Sequence, residues 1–167
     1  MKKMRLLTLL LLLVSISNAQ WFWQNPLPQG DMLKSVHFID QNNGWAAGQG
    51  GRILKTTDSG ASWTIQVSGT NENLLSVHFV DSNHGCAVGY DGTILKTING
   101  GTDWTAQTSG TDSDLMSVYF ADQDNGWAVG LYGTILNTTN AGVDWTAQTS
   151  GIEDNLETVR FIDSSIG

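Results

Sequence analysis

Ser35-Val36-His37-Phe38 recurs as Ser76-Val77-His78-Phe79, Ser117-Val118-Tyr119-Phe120 and Thr158-Val159-Arg160-Phe161, each copy 41 residues after the last. The same step carries Gly44-Trp45-Ala46-Ala47-Gly48 to Gly85-Cys86-Ala87-Val88-Gly89 and to Gly126-Trp127-Ala128-Val129-Gly130. It carries Ile53-Leu54 to Ile94-Leu95 and Ile135-Leu136, and Trp63 to Trp104 and Trp145. No insertion or deletion breaks the register. A unit of this kind buries its apolar face only against its neighbours, so the repeat decides the fold.

A period near 40 fits helical arrays as well as propeller blades, and the content of the unit separates them. A helix needs apolar residues at i, i+3, i+4 and i+7 over a dozen positions. Here each candidate segment is short, cut by Gly, Asn or Asp, and rich in Val, Ile, Thr, Phe and Trp, which suit a pleated surface. Four strands per unit are expected, in the first unit at 35–39, 45–49, 52–57 and 63–67. Asp40, Asp81 and Asp122 each open a turn that ends on Gly44, Gly85 or Gly126. Aspartate can accept from backbone amides just ahead of it, which makes these plain turns. The distal bidentate carboxylate of a calcium loop is missing.

The expected fold is therefore an all-β β-propeller of four-stranded antiparallel blades, present as an incomplete ring. Whole blades fall at 35–75, 76–116 and 117–157. Residues 21–34 align with a fourth strand of a preceding blade, and 158–167 with the start of a further one. The chain is accordingly expected to be a fragment of a longer reading frame.

Composition narrows the function. The 167 residues include 19 Gly and 7 Trp, only 14% are charged, and the formal net charge is −8. That balance excludes a nucleic-acid footprint, which needs clustered Lys and Arg. Lys2, Lys3 and Arg5 precede an apolar run from Leu6 to Ile16, and Ser17-Asn18-Ala19 offers a small-x-small cleavage site. Residues 1–19 thus read as a signal peptide, and the protein as secreted, periplasmic or at a bacterial cell surface. The apolar run is too short to span a bilayer, so no membrane insertion is expected after cleavage. Removal of the three cations leaves 16 acids against five bases, a net charge of −11. Cys86 is the only cysteine, which rules out an internal disulfide and fits a small buried hydrophobe.

Between strands three and four lies Thr56-Thr57-Asp58-Ser59-Gly60-Ala61-Ser62-Trp63, of the form S/T-x-D-x-G-x-S/T-W. It resembles the Asp-box of BNR repeats. Its later copies carry Asn99, Gly101 and Trp104, then Asn140, Gly142 and Trp145. Asn keeps an acceptor oxygen but cannot titrate, so Asp58, Gly60, Trp63 and their copies form a folding device with the Trp ring expected in the blade core. No catalytic residue, metal ligand or cofactor site emerges. His37 and His78, on the strand nearest the axis, lack a third ligand and read as structural. The whole unit is similar to the repeat of the photosystem II stability/assembly factor family. That resemblance implies a propeller and an assembly role on a basic surface, whereas this chain is acidic.

The repeat varies most where strands two and three meet and where strand four leads to the next blade. Gln49-Gly50 becomes Tyr90-Asp91 and then Leu131-Tyr132, beside acidic 4–1 loops. Variable loops on a constant scaffold are where binding resides. Gln49, Tyr90, Asp91 and Tyr132 are therefore the candidate binding face, for a protein or polysaccharide partner. The alternatives are part of an Asp-box glycoside hydrolase, which needs two carboxylates across a cleft, and a structural adhesin or surface module.

Overall fold

A computed structural model describes residues 30–163 and 166–167. The expected signal peptide and most of the expected leading fourth strand lie outside these residues. The described chain is all-β, in three four-stranded antiparallel sheets. The first blade holds β1 (Leu33–Phe38), β2 (Gly44–Gly48), β3 (Ile53–Thr56) and β4 (Thr64–Gln66). The second holds β5 (Leu74–Phe79), β6 (Gly85–Gly89), β7 (Ile94–Thr97) and β8 (Thr105–Gln107). The third holds β9 (Leu115–Phe120), β10 (Gly126–Gly130), β11 (Ile135–Thr138) and β12 (Thr146–Gln148). Within each sheet the strands pair in sequence order, as in a propeller blade, and the ring is not closed among the described residues.

The limits differ from expectation by one or two residues. β1 starts at Leu33 because each first strand carries a bulge, with register shifts between Leu33 and Ser35 and between Leu74 and Ser76. The bulge lets strand one gain a residue while keeping its inner face in register. Gly48, Gly89 and Gly130 end the second strands. A Cβ at any of them would collide with the carbonyl oxygen of Met32, Asn73 or Asp114.

The core lies between blades, not within them. Trp45, Ala47 and Ile53 of the first blade pack on Leu74, Val77 and Phe79 of the second. Cys86, Val88 and Ile94 of the second pack on Leu115, Val118 and Phe120 of the third. This explains why β2 is buried at every position instead of alternating. Side-chain hydroxyls tie the inner strands together. Val77 N donates to Ser35 Oγ and Val118 N to Ser76 Oγ, both at 3.2 Å, and Val159 N to Ser117 Oγ at 3.3 Å. Residues 157–163 were expected to form a first strand. Among the described residues they form no strand and pair only through an isolated bridge of Asp163 with Ile166, yet Phe161 stacks on Trp127 at 3.6 Å.

Candidate functional site

Each 2–3 turn is wedged between two 4–1 loops, which places all these loops on one face. Tyr90 N donates to Asn73 O at 2.9 Å, and Asp91 N to Asp114 Oδ1 at 3.1 Å. In the first blade Gly50 N donates to Asn73 Oδ1 at 2.9 Å, and in the third Tyr132 N to Asn155 Oδ1 at 3.3 Å. One side-chain oxygen at the start of each following strand thus holds the tip of the preceding turn.

The tip residue has φ of 63° at Gly50, 51° at Asp91 and 56° at Tyr132. Glycine adopts this left-handed region freely, but a side chain there costs on the order of 1–2 kcal/mol. Tyr132 carries that strain while 72% exposed; Tyr90, one position earlier in its turn, is 38% exposed. Gln49 and Asp91 are exposed too. The four candidate residues therefore share a face, one blade step apart. An open groove of about 560 Å³ runs beside them, lined by Ser68, Thr70, Asp91, Ser109 and Asp112 among others. It includes Asp91 but neither tyrosine.

The opposite face carries the 1–2 turns and the Asp-box hairpins, joined by Ser59 N to Asn42 O at 3.1 Å, Gly100 N to Asn83 O at 2.9 Å and Ala141 N to Asp124 O at 3.0 Å. Asp40 Oδ1 accepts from the amides of Asn42 and Asn43, both at 2.7 Å, and Asp81 and Asp122 repeat the pattern.

In the first hairpin Asp58 Oδ1 accepts from Thr56 Oγ1 and Ser62 N at 2.8 Å, and Asp58 Oδ2 from Ser62 Oγ at 2.6 Å. Those bonds, Ser62 first, hold its carboxyl below the usual range. In the second copy the polarity is reversed. Asn99 Nδ2 donates to Asp103 Oδ2 at 2.8 Å, and in the third Asn140 Nδ2 donates to Asp144 Oδ2 at the same distance. The carboxylate has moved four residues along, and the pair always consists of one donor and one acceptor. Gly60, Gly101 and Gly142 have φ between 77° and 89°, and their amides donate to Thr56, Thr97 and Thr138 Oγ1 at 2.9 Å.

The hairpin tryptophans, expected in the blade core, reach it only in part: Trp104 and Trp145 pack against the core clusters without being fully buried. Trp63, Trp104 and Trp145 are half-buried and meet Phe38, Phe79 and Phe120 edge-on at 6.0, 5.9 and 5.9 Å. They stand at the head of the outermost strand of each sheet. The fully buried indole is Trp45 of β2, stacked on Phe79 at 3.6 Å.

Along the inner strands His37, His78, Tyr119 and Arg160 form a ladder. Ring centroids are 4.5 Å apart for the first pair and 4.8 Å for the second, and the Arg160 guanidinium lies 5.6 Å from the Tyr119 ring. Burial, with His37 and Arg160 nearby, pushes His78 down to about 3. His37 donates from Nε2 to Phe79 O at 2.9 Å. Spacing marked these residues as neighbours, but stacking this close depends on the strand splay and was not readable. Among the described residues, no group of three or more His, Cys, Asp or Glu is placed to hold a metal.

Comparison with known proteins fits this architecture. A structure of YCF48 bound to a D1 peptide aligns with a TM-score of 0.66 and 24% identity, over 74% of this chain and 42% of that one. YCF48 from Cyanidioschyzon merolae aligns with a TM-score of 0.66 and 23% identity, over 76% and 42%. An ancestral GH74 enzyme aligns with a TM-score of 0.55 and 19% identity, over 68% and 18%. These likenesses establish the propeller fold, and the aligned part is less than half the length of either YCF48 chain. No curated protein matches the chain. The family model of the photosynthesis system II assembly factor YCF48 matches residues 64–150, just over half of the sequence, and the chain belongs to that family.

Proposed function

We propose that this chain is a protein-binding module of the assembly-factor kind, exported from the cell, and that it receives a neutral or basic peptide segment on the face of the 2–3 turns and 4–1 loops. The observation that carries the reading is Tyr132. A large aromatic stands exposed, in a left-handed backbone conformation, at a turn tip where the first repeat has Gly50. Strain kept at an exposed aromatic with no folding benefit points to recognition. A relative bound to a D1 peptide supports peptide binding as a use of this scaffold. The acids of the neighbouring loops, Glu72, Asp112, Asp114, Glu153 and Asp154, favour a cationic partner.

A glycosidase reading finds less support. The Asp-box carboxylate is engaged in its own hairpin, and the copies of Asp58 are Asn99 and Asn140. The test is an array of peptides graded from acidic to basic, probed with the protein and with a Tyr90→Ala/Tyr132→Gly double variant. Basic peptides should bind, weaken as salt rises, and lose most of their binding to the double variant. Equal capture by both proteins, or glycan hydrolysis by the wild type, contradicts the proposal.

A further inference from the structure

The three blades do not fill their junctions alike. Between the first and second blades, the Trp45 indole stacks on Phe79 at 3.6 Å and 11° and donates from Nε1 to Gly100 O at 3.1 Å. Lys55 Nζ sits 5.2 Å from the same ring and donates to the same carbonyl at 2.9 Å. Trp127 stacks in the same way on Phe161, at 3.6 Å and 14°. Between the second and third blades the corresponding residue is Cys86. The groups that receive the indole elsewhere are all still present 41 residues on: Phe120 for Phe79, Lys96 for Lys55, and Ala141 for Gly100.

Beside this position, over Phe120, there is a small pocket. Its lining includes His78, Lys96, Phe120 and Ala141, with the more exposed His84 and Gln123 of the 1–2 turns. The His78 and Phe120 rings are near-parallel, at 16° with centroids 6.4 Å apart. Counting its open mouth, the pocket measures about 260 Å³. The enclosed part has room for about one water molecule while the mouth side chains stay in place. Asn43 and Ser82 hold the mouth positions at the first junction, so larger side chains accompany the smaller residue 86. His84 pairs with Asp81 at 2.8 Å, and the Gln123 amide lies 3.3 Å from the His84 ring. Both contacts belong to partly exposed 1–2 turns, so on the reading proposed below these two side chains turn outward to admit a guest.

We propose that this pocket binds a small planar aromatic molecule bearing one ring N–H, of the indole class. Its ring lies on Phe120 and its N–H faces the Ala141 carbonyl, in the place Trp45 occupies one blade earlier. The protein's own first junction is the template for the site. An apolar cavity with room for a ring takes up an aromatic guest. The Lys96 ammonium adds attraction for the ring face.

The experiment titrates free indole into the full chain, by calorimetry and by thermal melting, with naphthalene and N-acetyl-tryptophanamide alongside. Indole should bind saturably and raise the melting temperature, and naphthalene, with no N–H, should bind less tightly. Cys86→Trp should melt higher by itself and lose indole affinity by about tenfold or more. Cys86→Phe serves as a second blocking variant should the tryptophan fail to fold, and Gln123→Ala, which clears the mouth, should tighten binding. Absence of saturable indole binding even in Gln123→Ala overturns the proposal, as does equal binding in the blocked variants. Binding of N-acetyl-tryptophanamide without free indole would mean that the site takes a peptide side chain, and overturns the small-molecule assignment.

Discussion

Trp45 and Trp104 are the same residue type doing different work. Trp45 is fully buried and hydrogen-bonded across a blade junction, whereas Trp104 caps an outer strand and is half-buried. Trp45→Ala should therefore cost about 3–5 kcal/mol, and Trp104→Ala roughly half of that. Denaturant melts give the order, and equal losses contradict the packing described. His78 sets a pH dependence. Its folded pKa of about 3 lies below the ordinary imidazole value of 6.5, so the unfolded chain binds a proton between those values that the folded chain refuses. Stability is full above about pH 6.5 and falls as the pH drops toward 3. Asp40, Asp58 and Asp122, held low by hydrogen bonds, add to the loss only near the acid end, when they protonate. In His78→Gln the slope should flatten below pH 6.5, where the His78 imidazole of the unfolded chain takes up its proton. An unchanged slope contradicts a neutral, desolvated imidazole.

At the scale of the element, the Asp-box hairpin is a four-residue-spaced donor and acceptor pair that can be installed in either direction. Asp58 with Ser62 runs one way, and Asn99 with Asp103 runs the other. Asn99→Asp alone sets two carboxylates side by side and should cost about 1 kcal/mol or more. Adding Asp103→Ser rebuilds the first hairpin's chemistry and should recover most of the loss, a coupling that a double-mutant cycle measures directly. Additive losses would show that the reversed pair is incidental. Which strand each motif occupies was legible in the sequence, because a gap-free repeat and its Gly-ended turns leave one arrangement. The depth of each tryptophan was not. Spacing places Trp63 and Trp45 on strands four and two, but burial depends on whether a neighbouring blade covers that strand. The same holds for Cys86, whose place in the tryptophan register is plain in the repeat, while the pocket over Phe120 is visible only in the fold. Tyr132, by contrast, had a readable signal, since it stands in register with Gly50 at a turn tip.

Across the described residues the two faces of the three-bladed array are built differently. One is closed by hydrogen bonds between the 1–2 turns and the Asp-box hairpins. The other presents variable turns beside acidic loops, on a chain with a formal net charge of −8. Attraction of this kind acts through the rate of encounter and weakens with ionic strength, while aromatic anchors set how long a partner stays. Tyr132→Gly separates folding from recognition. It replaces a strained residue with the one the first repeat uses, so stability should hold or rise by up to about 1 kcal/mol. The decisive measurement is the affinity of Tyr132→Gly for a basic peptide bound by the wild type, taken with its melting temperature in the same preparation. Binding weakened by about tenfold or more, with an unchanged or higher melting temperature, is the predicted result. Wild-type affinity in that variant would contradict recognition on this face.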